Sequence, residues 1–385
     1  MSALLPGATI GIFGGGQLGR MIAMAARGMG YRILVLDPDP GCPARFVVDG
    51  CIEASWDDSR GAANLARGCD VVTLEIEQIA YASMEAAAAY CPVRPGGAML
   101  AIIQNRIEQK DWLRKHGFPI GDYRAVRSLD ETRDAIHALG GKAFCKSAQG
   151  GYDGRGQGKV GFSGPVSEDQ VRGAWQALGE GPGVVEKAVE LEREISVMVA
   201  RSPRGEVKVY PAAWNHHENQ ILDWSVIPAP ISPGLEARAR QIAGEIADTF
   251  ALEGLLAVEL FVTTGGELLV NELAPRPHNS YHESERACVT SQFEQAVRAV
   301  CDLPLGDVDV VQPAAIANLL GDLWINPDKT PRQPHFDAAL AVPGVRLHLY
   351  EKLKPRKGRK MGHLSAVGAT SEEAVERVLA AKAAL

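Results

Sequence analysis

Aromatic residues are scarce, at 6% of 385 residues, and there are only seven cysteines. These seven (Cys42, Cys51, Cys69, Cys91, Cys145, Cys288 and Cys301) form no Cys-x-x-Cys pair. That pattern excludes a zinc ribbon, and an odd, scattered set reads as reduced thiols in a cytoplasmic protein. Positive charge is in deficit: 40 Lys and Arg against 47 Asp and Glu leave a net charge of −7. Neither a general nucleic-acid binder nor a membrane-surface protein is expected from that balance. No apolar run approaches the roughly 18 residues of a spanning helix, and the start lacks the basic stretch of a signal peptide. Glycine and proline, 41 and 23 residues, are too few for a low-complexity chain.

Length alone predicts two or three domains at roughly 150 residues each. The first hundred residues alternate apolar runs (8–13, 32–36, 71–76) with helical spacing (18–28, 61–66). This alternation predicts a parallel sheet with right-handed crossovers. A single long helix is expected over 98–116, ended by Gly117 and Pro119, with the first boundary after 117. From 118 to 310 strand-like stretches (142–147, 183–187, 195–200, 207–213, 255–262, 268–273) outnumber the helices, of which 236–250 and 284–300 are the clearest. Consecutive strands without helices between them mark an antiparallel α+β domain. Residues 311–385 add two short strands (345–349, 363–367) and a helix from Ser371. This small α+β segment is expected to pack back on the rest.

Gly14-Gly15-Gly16-Gln17-Leu18-Gly19 fits Gly-x-Gly-x-x-Gly between a strand and a helix, and Asp37 ends the next strand. On this segment alone a NAD-dependent oxidoreductase is a fair reading, as is a turn that binds another phosphate or nothing. A second loop, Gly150 to Gly158, holds five glycines after the strand carrying Lys146. It reads as a flap whose N–H groups close over phosphates, or as a plain hairpin. It is not a Walker loop, because no Lys-Ser/Thr pair follows.

If Gly265-Gly266 makes a two-residue turn, Thr264 opposes Glu267 and Glu259 faces Glu272. Two opposed carboxylates in an apolar stretch repel each other. A magnesium ion shared with triphosphate oxygens removes the penalty, while a shared proton or a register slip is the alternative. Directly after this pair, Arg276, His278 and Asn279 sit on a proline-stiffened loop suited to a small oxyanion, or simply form a solvated polar loop. Near the end Lys352, Lys354, Arg356, Lys357, Arg359 and Lys360 crowd nine positions. One substrate phosphate explains them better than nucleic acid does, and the outer residues of the run are expected in solvent.

Together these segments resemble the ATP-grasp superfamily and, within it, the 5-(carboxyamino)imidazole ribonucleotide synthase family of purine biosynthesis. Carrying the resemblance are Gly14–Met21, Gln104-Asn105-Arg106 with Lys110, Gly151–Gln157, Arg193–Val197, Asn271–Ser280, Ser291–Glu294 and Arg359–His363. It implies an ATP-grasp fold behind a dinucleotide-fold-like N-terminal domain that binds no NAD. The implied reaction is ATP-dependent carboxylation of aminoimidazole ribonucleotide by bicarbonate through carboxyphosphate, with two magnesium ions. Another ATP-grasp carboxylate–amine ligase is the alternative. By resemblance Arg106, Lys146, Gly151, Tyr152, Asp153, Gly154, Arg155, Gly156, Gln157, Glu186, Lys187, Ala188, Val189, Glu194, His217, Asn271 and Glu272 hold ATP, and Glu259 and Glu272 carry magnesium. Arg276, His278 and Asn279 hold bicarbonate or carboxyphosphate. Gln17, Leu18, Tyr152, Asp153, Arg155, Lys352, Arg359 and Lys360 meet the ribonucleotide, and Asp153 orients its amine or takes its proton. A cytoplasmic homodimer is expected. Two departures stand out: Tyr281, where many members have Gly, and Glu75-Ile76-Glu77-Gln78, in place of an aromatic-Glu-Asn ending.

Overall fold

The computed structural model describes residues 2–150 and 156–385. Thr9–Phe13, Arg32–Asp37, Gly50–Glu53 and Val71–Leu74 form a parallel sheet in which Thr9–Phe13 lies between Arg32–Asp37 and Val71–Leu74. The expected parallel pairing is present, with one further strand, Gly50–Glu53, that lacks an apolar run.

The core of the molecule is a nine-stranded sheet, antiparallel throughout. Its order is Leu268–Ala274, Gly254–Thr263, Leu191–Arg201, Ala213–Glu218, Ile221–Ile227, Ala314–Leu320, Lys360–Val367 and Val345–Leu349, with Val207–Val209 alongside Leu191–Arg201. Side chains alternate across it. Leu256, Val258 and Leu260 pack with Ile195 and Val197 under Ile242 and Ile246 of the helix Pro233–Thr249. Leu255, Ala257, Met198 and Ala200 turn the other way, towards Ala296 and Ala299 of the helix Gln292–Val300. Burying each Leu, Val or Ile contributes roughly 1.5–3 kcal/mol before chain entropy is set against it. Glu194, Ser196 and Glu259 share the alternation of the second face, so they point away from Pro233–Thr249.

A third, four-stranded sheet (Tyr123–Val126, Gly183–Lys187, Ala143–Ser147, Gln157–Val160) stands over the central one. The helices Leu129–Ala138 and Glu168–Ala177 cover it through Ile136, Val171 and Ala174.

Two expectations need correction. The helix expected over 98–116 is two, Gly97–Gln104 and Arg106–Lys115, because Asn105 leaves helical geometry and its side chain accepts the N–H of Ile107 at 3.0 Å. Asn105→Ala is expected to cost about 1 kcal/mol of stability, read by chemical denaturation. The helix expected over 284–300 is likewise split into Ser284–Ala287 and Gln292–Val300, with Ser291 capping the second through Glu294 N–H at 3.2 Å. The C-terminal segment adds one strand, Ala314–Leu320, to the two expected. Ala314–Leu320 pairs with Ile221–Ile227 and so continues the central sheet.

Candidate active site

The hairpin predicted to carry two carboxylates does so by another route. Thr263 N–H donates to Glu267 O at 2.9 Å, and Gly266 takes a positive φ of 78°. The loop is thus three residues, Thr264–Gly266, and Val262 pairs with Leu268. That register alone would not oppose the two glutamates. A bulge at Asn271 then shifts the strands by one residue and restores Glu259 opposite Glu272. A bulge also re-aims side chains, and here Asn271 and Glu272 both reach the space between the sheets. Asn271 Oδ1 accepts from Lys146 at 3.4 Å, and Glu272 accepts two bonds from Arg106 at 3.1 and 3.3 Å.

From the small sheet come Lys146 and Glu186, on adjacent strands. Lys146 Nζ donates to Glu186 Oε2 at 2.8 Å, and Lys110 Nζ lies 3.0 Å from Oε1. Burial works to raise the Glu186 pKa, but the two ammonium groups outweigh it and hold the carboxyl well below its ordinary value. Lys110, one helical turn beyond Arg106, also donates to the carbonyl of Asn271 at 3.3 Å. It was absent from the expected ligand set, although its i, i+4 spacing from Arg106 places both on one face of the helix. Glu194 and His217 meet at 2.9 Å on neighbouring strands of the central sheet. Burial opposes protonation of His217, yet Glu194 outweighs it and raises the imidazole pKa.

The polar loop follows directly. His278 Nε2 lies 3.1 Å from Glu259 Oε1, and its Nδ1 lies 2.7 Å from Ser280 Oγ. Arg276 pairs with Glu77 at 2.7 Å, which ties this loop to the end of the parallel sheet. Asn279 is 6% exposed, and neither polar atom of its amide has a hydrogen-bond partner; Arg276 Nε is likewise buried without one. Leaving such groups unmet costs about 1–3 kcal/mol each. Tyr281, one of the two departures from the family pattern, is fully buried, packed with Met198 and Ala257. It stacks edge-on against Tyr210, with its hydroxyl 2.7 Å from Pro211 O.

Around the first glycine turn, Gly14 has φ 92°, and a Cβ on Gly19 would stand 2.5 Å from Gly14 O. The helix N-terminus behind the turn is occupied by a side chain. Gly16, Leu18 and Gly19 donate their N–H groups to Glu75 at 2.8, 3.1 and 3.0 Å, and Gly15 donates to Asp37 at 2.7 Å. A dinucleotide would need those same donors, so the sequence feature that suggested NAD is satisfied internally. Leu18 therefore offers a ligand neither its N–H nor its side chain, which packs in the N-terminal core, while Gln17 beside it is half-exposed.

Burial raises the Glu75 pKa from 4.5 to about 7, against the lowering effect of the Gly19 and Gly16 N–H groups. A carboxyl raised on folding stabilises most when protonated, below its unfolded value, and that contribution fades as pH climbs through the folded one. Between pH 4.5 and 7 the wild type should therefore lose up to about 3 kcal/mol relative to Glu75→Gln. Denaturant titrations of both proteins across that range measure the difference. Parallel pH profiles would refute it.

Other expected ligands are dispersed. Lys187 is exposed, 3.8 Å from Asp122, so its side chain leaves the cleft, while Ala188 and Val189 are half-buried just beyond the strand. Gly156 accepts the Ser147 N–H at 2.8 Å and Gln157 pairs with Lys146, anchoring the end of the glycine loop. Gly151, Tyr152, Asp153, Gly154 and Arg155 lie outside the described residues. In the basic run it is the middle that is solvated, not the outside: Lys354, Arg356 and Lys357 are exposed, whereas Lys352, Arg359 and Lys360 are partly covered. Arg359 donates to Lys354 O at 2.8 Å, and Lys352 Nζ stands 5.6 Å from the Tyr350 ring centre.

Two antiparallel sheets that face each other across Lys146, Glu186, Glu259 and Glu272, behind a parallel-sheet domain, define an ATP-grasp ligase. Residues 111–293 match the ATP-grasp domain, 7–104 the ribonucleotide synthetase preATP-grasp domain, and 314–377 the phosphoribosylaminoimidazole carboxylase C-terminal domain. The N5-carboxyaminoimidazole ribonucleotide synthase of Bacillus subtilis is 39% identical over 97% of this chain and 95% of its own. That of Brucella melitensis is 40% identical over 95% and 98%. An ADP complex of N5-carboxyaminoimidazole ribonucleotide synthetase superposes with a TM-score of 0.90 at 40% identity, covering 99% of this chain and 98% of that one. The Aspergillus clavatus enzyme, solved with ADP and 5-aminoimidazole ribonucleotide, gives 0.88 at 29% identity, covering 98% of each chain. The chain belongs to the N5-carboxyaminoimidazole ribonucleotide synthase family of ATP-dependent ligases. Among the described residues no helix is long and apolar enough to cross a membrane.

Proposed function

We propose that this chain joins bicarbonate to the exocyclic amine of 5-aminoimidazole ribonucleotide, with ATP cleaved to ADP and phosphate. The observation that carries the reading is that Glu259 and Glu272 oppose each other on adjacent strands, with His278 of the Arg276–Asn279 loop 3.1 Å from Glu259. In the first step a bicarbonate oxygen attacks the γ-phosphorus and the bond to ADP breaks, giving carboxyphosphate. In the second the amine takes the carboxyl carbon, phosphate departs and the amine loses a proton. Lys146, held between Glu186 and Asn271, would meet phosphate oxygens without having to reorganise. Arg106, Glu194 and His217 would hold the rest of the nucleotide. Arg276 and Asn279 would hold the small anion, their unmet polar atoms finding partners there, and His278 would be steadied by Ser280.

Glu259, Glu272 and the Asn271 amide oxygen are hard oxygen donors, which fits magnesium rather than a softer metal. Magnesium, two ions by the resemblance, would supply neutralisation of phosphate charge between those side chains. Carboxyphosphate decomposes readily in water, so a closed cleft protects it as well as speeding its formation. Lys352, Arg359 and Lys360 would take the ribonucleotide phosphate, and Asp153 would orient the amine. A cytoplasmic homodimer accompanies this reading.

Purified protein should release ADP only when bicarbonate and the ribonucleotide are both present. ADP release supported by formate but not by bicarbonate would instead make it a sister ligase. No ribonucleotide-dependent ADP at all would overturn the reading.

A further inference from the structure

Away from the cleft, Glu285, His348 and His363 converge. Each offers one ligand atom, and the three atoms lie within 4.8 Å of one another. The backbone explains two of them. His348 and His363 are directly opposed on the antiparallel strands Val345–Leu349 and Lys360–Val367, with their rings stacked at 4.9 Å. Opposed residues project from one face of a sheet. Glu285 comes from the short helix Ser284–Ala287, which packs on Lys360–Val367. His363 is 2% exposed, and its Nδ1 lies 2.8 Å from the Tyr350 hydroxyl. A polar partner behind one ring nitrogen is the support that metal-ligating histidines characteristically have. A cavity of about 540 Å³ opens onto Glu285 and His348, lined also by Cys288, Met21, Met24 and Met29. It gives an ion a way in and leaves room for water beside it.

We propose that Glu285, His348 and His363 form a transition-metal site of the zinc type, with one position open to the cavity. Two imidazoles and one carboxylate are a borderline-soft set that suits Zn²⁺ or Co²⁺, whereas Mg²⁺ prefers an octahedron of oxygens. Ligand atoms around a tetrahedral ion with bonds of ~2.0–2.1 Å stand roughly 3.4 Å apart. The two imidazoles are stacked within 13° of parallel, so closing that gap takes rotation of the half-buried His348 ring as well as of the exposed Glu285 side chain. Of the nearby cations, Arg20 is already paired with Glu351 at 3.0 Å, and Arg346 acts on Glu285 through its charge. An ion here would tie the segment after the Arg276–Asn279 loop to the hairpin that leads into Lys360. The site is independent of the reaction proposed above.

The test uses full-length protein saturated with Mg²⁺ and ADP, titrated with Co²⁺ and followed by visible absorption. One equivalent should produce the d–d band of a four- or five-coordinate ion, and Zn²⁺ should displace it. Glu285→Ala and His348→Ala replace residues outside the core, so their circular dichroism and metal-free thermal midpoints should match the wild type. Each should weaken Co²⁺ binding by at least about 10-fold. No band in the wild type, or undiminished binding in either variant, overturns the proposal.

Discussion

Glu272→Gln is expected to lower ribonucleotide-dependent ADP formation by at least about 10²–10³-fold. A neutral amide keeps the volume and one acceptor but removes the charge that would draw a divalent ion between Glu272 and Glu259. The fold should tolerate the change. The Glu272 side chain is 39% exposed, so its bidentate pair with Arg106 is screened by solvent and its loss should cost about 1 kcal/mol. ADP release measured over a magnesium series, beside a thermal midpoint, separates the two effects. Near-normal turnover with an unchanged magnesium requirement would remove the metal role from this side chain.

Asn279→Asp should have a loss of similar size, for the opposite electrostatic reason. It puts a negative charge where Arg276 and the buried amide would receive an anion. At a bicarbonate concentration that saturates the wild type, turnover should fall by about 100-fold or more. Because a buried carboxylate without a partner can itself destabilise the protein, Asn279→Ala serves as the companion variant. It should fold and show a raised KM for bicarbonate, with a KM for ATP close to that of the wild type. A KM for bicarbonate within about twofold of the wild type in that variant would place the anion elsewhere.

Much of the site was legible because its residues sit in short ordered motifs on strongly apolar strands. The Glu259–Glu272 pairing was read correctly although the turn was not, since the bulge at Asn271 compensates for the longer loop. Nothing in the local pattern announces that bulge, because it is set by what Asn271 and Glu272 meet across the cleft. Glu75 shows the complementary limit. A glycine turn announces free N–H groups, and only the tertiary structure shows that a carboxylate 56 residues beyond Gly19 already takes them. The helices Leu129–Ala138 and Glu168–Ala177 escaped notice because both are largely polar. Their capping residues were nonetheless visible: Ser128 accepts from Glu131, and Ser167 forms a capping box with Gln170. The helix breaks at Asn105 and Ser291 belong to the same class, side chains competing with the backbone for hydrogen bonds.

The uninterrupted run of strands from Leu268–Ala274 to Val345–Leu349 has a consequence for any attempt to dissect this protein. A chain cut at residue 310 would lose Ala314–Leu320 and leave Ile221–Ile227, still paired with Ala213–Glu218 on one side, as a bare margin whose other row of N–H and C=O groups is unmatched. Such a margin recruits strands from other molecules. The truncated chain should therefore be recovered as aggregate rather than as a smaller working enzyme, and the last seventy-five residues should be regarded as a structural seam instead of an appendage.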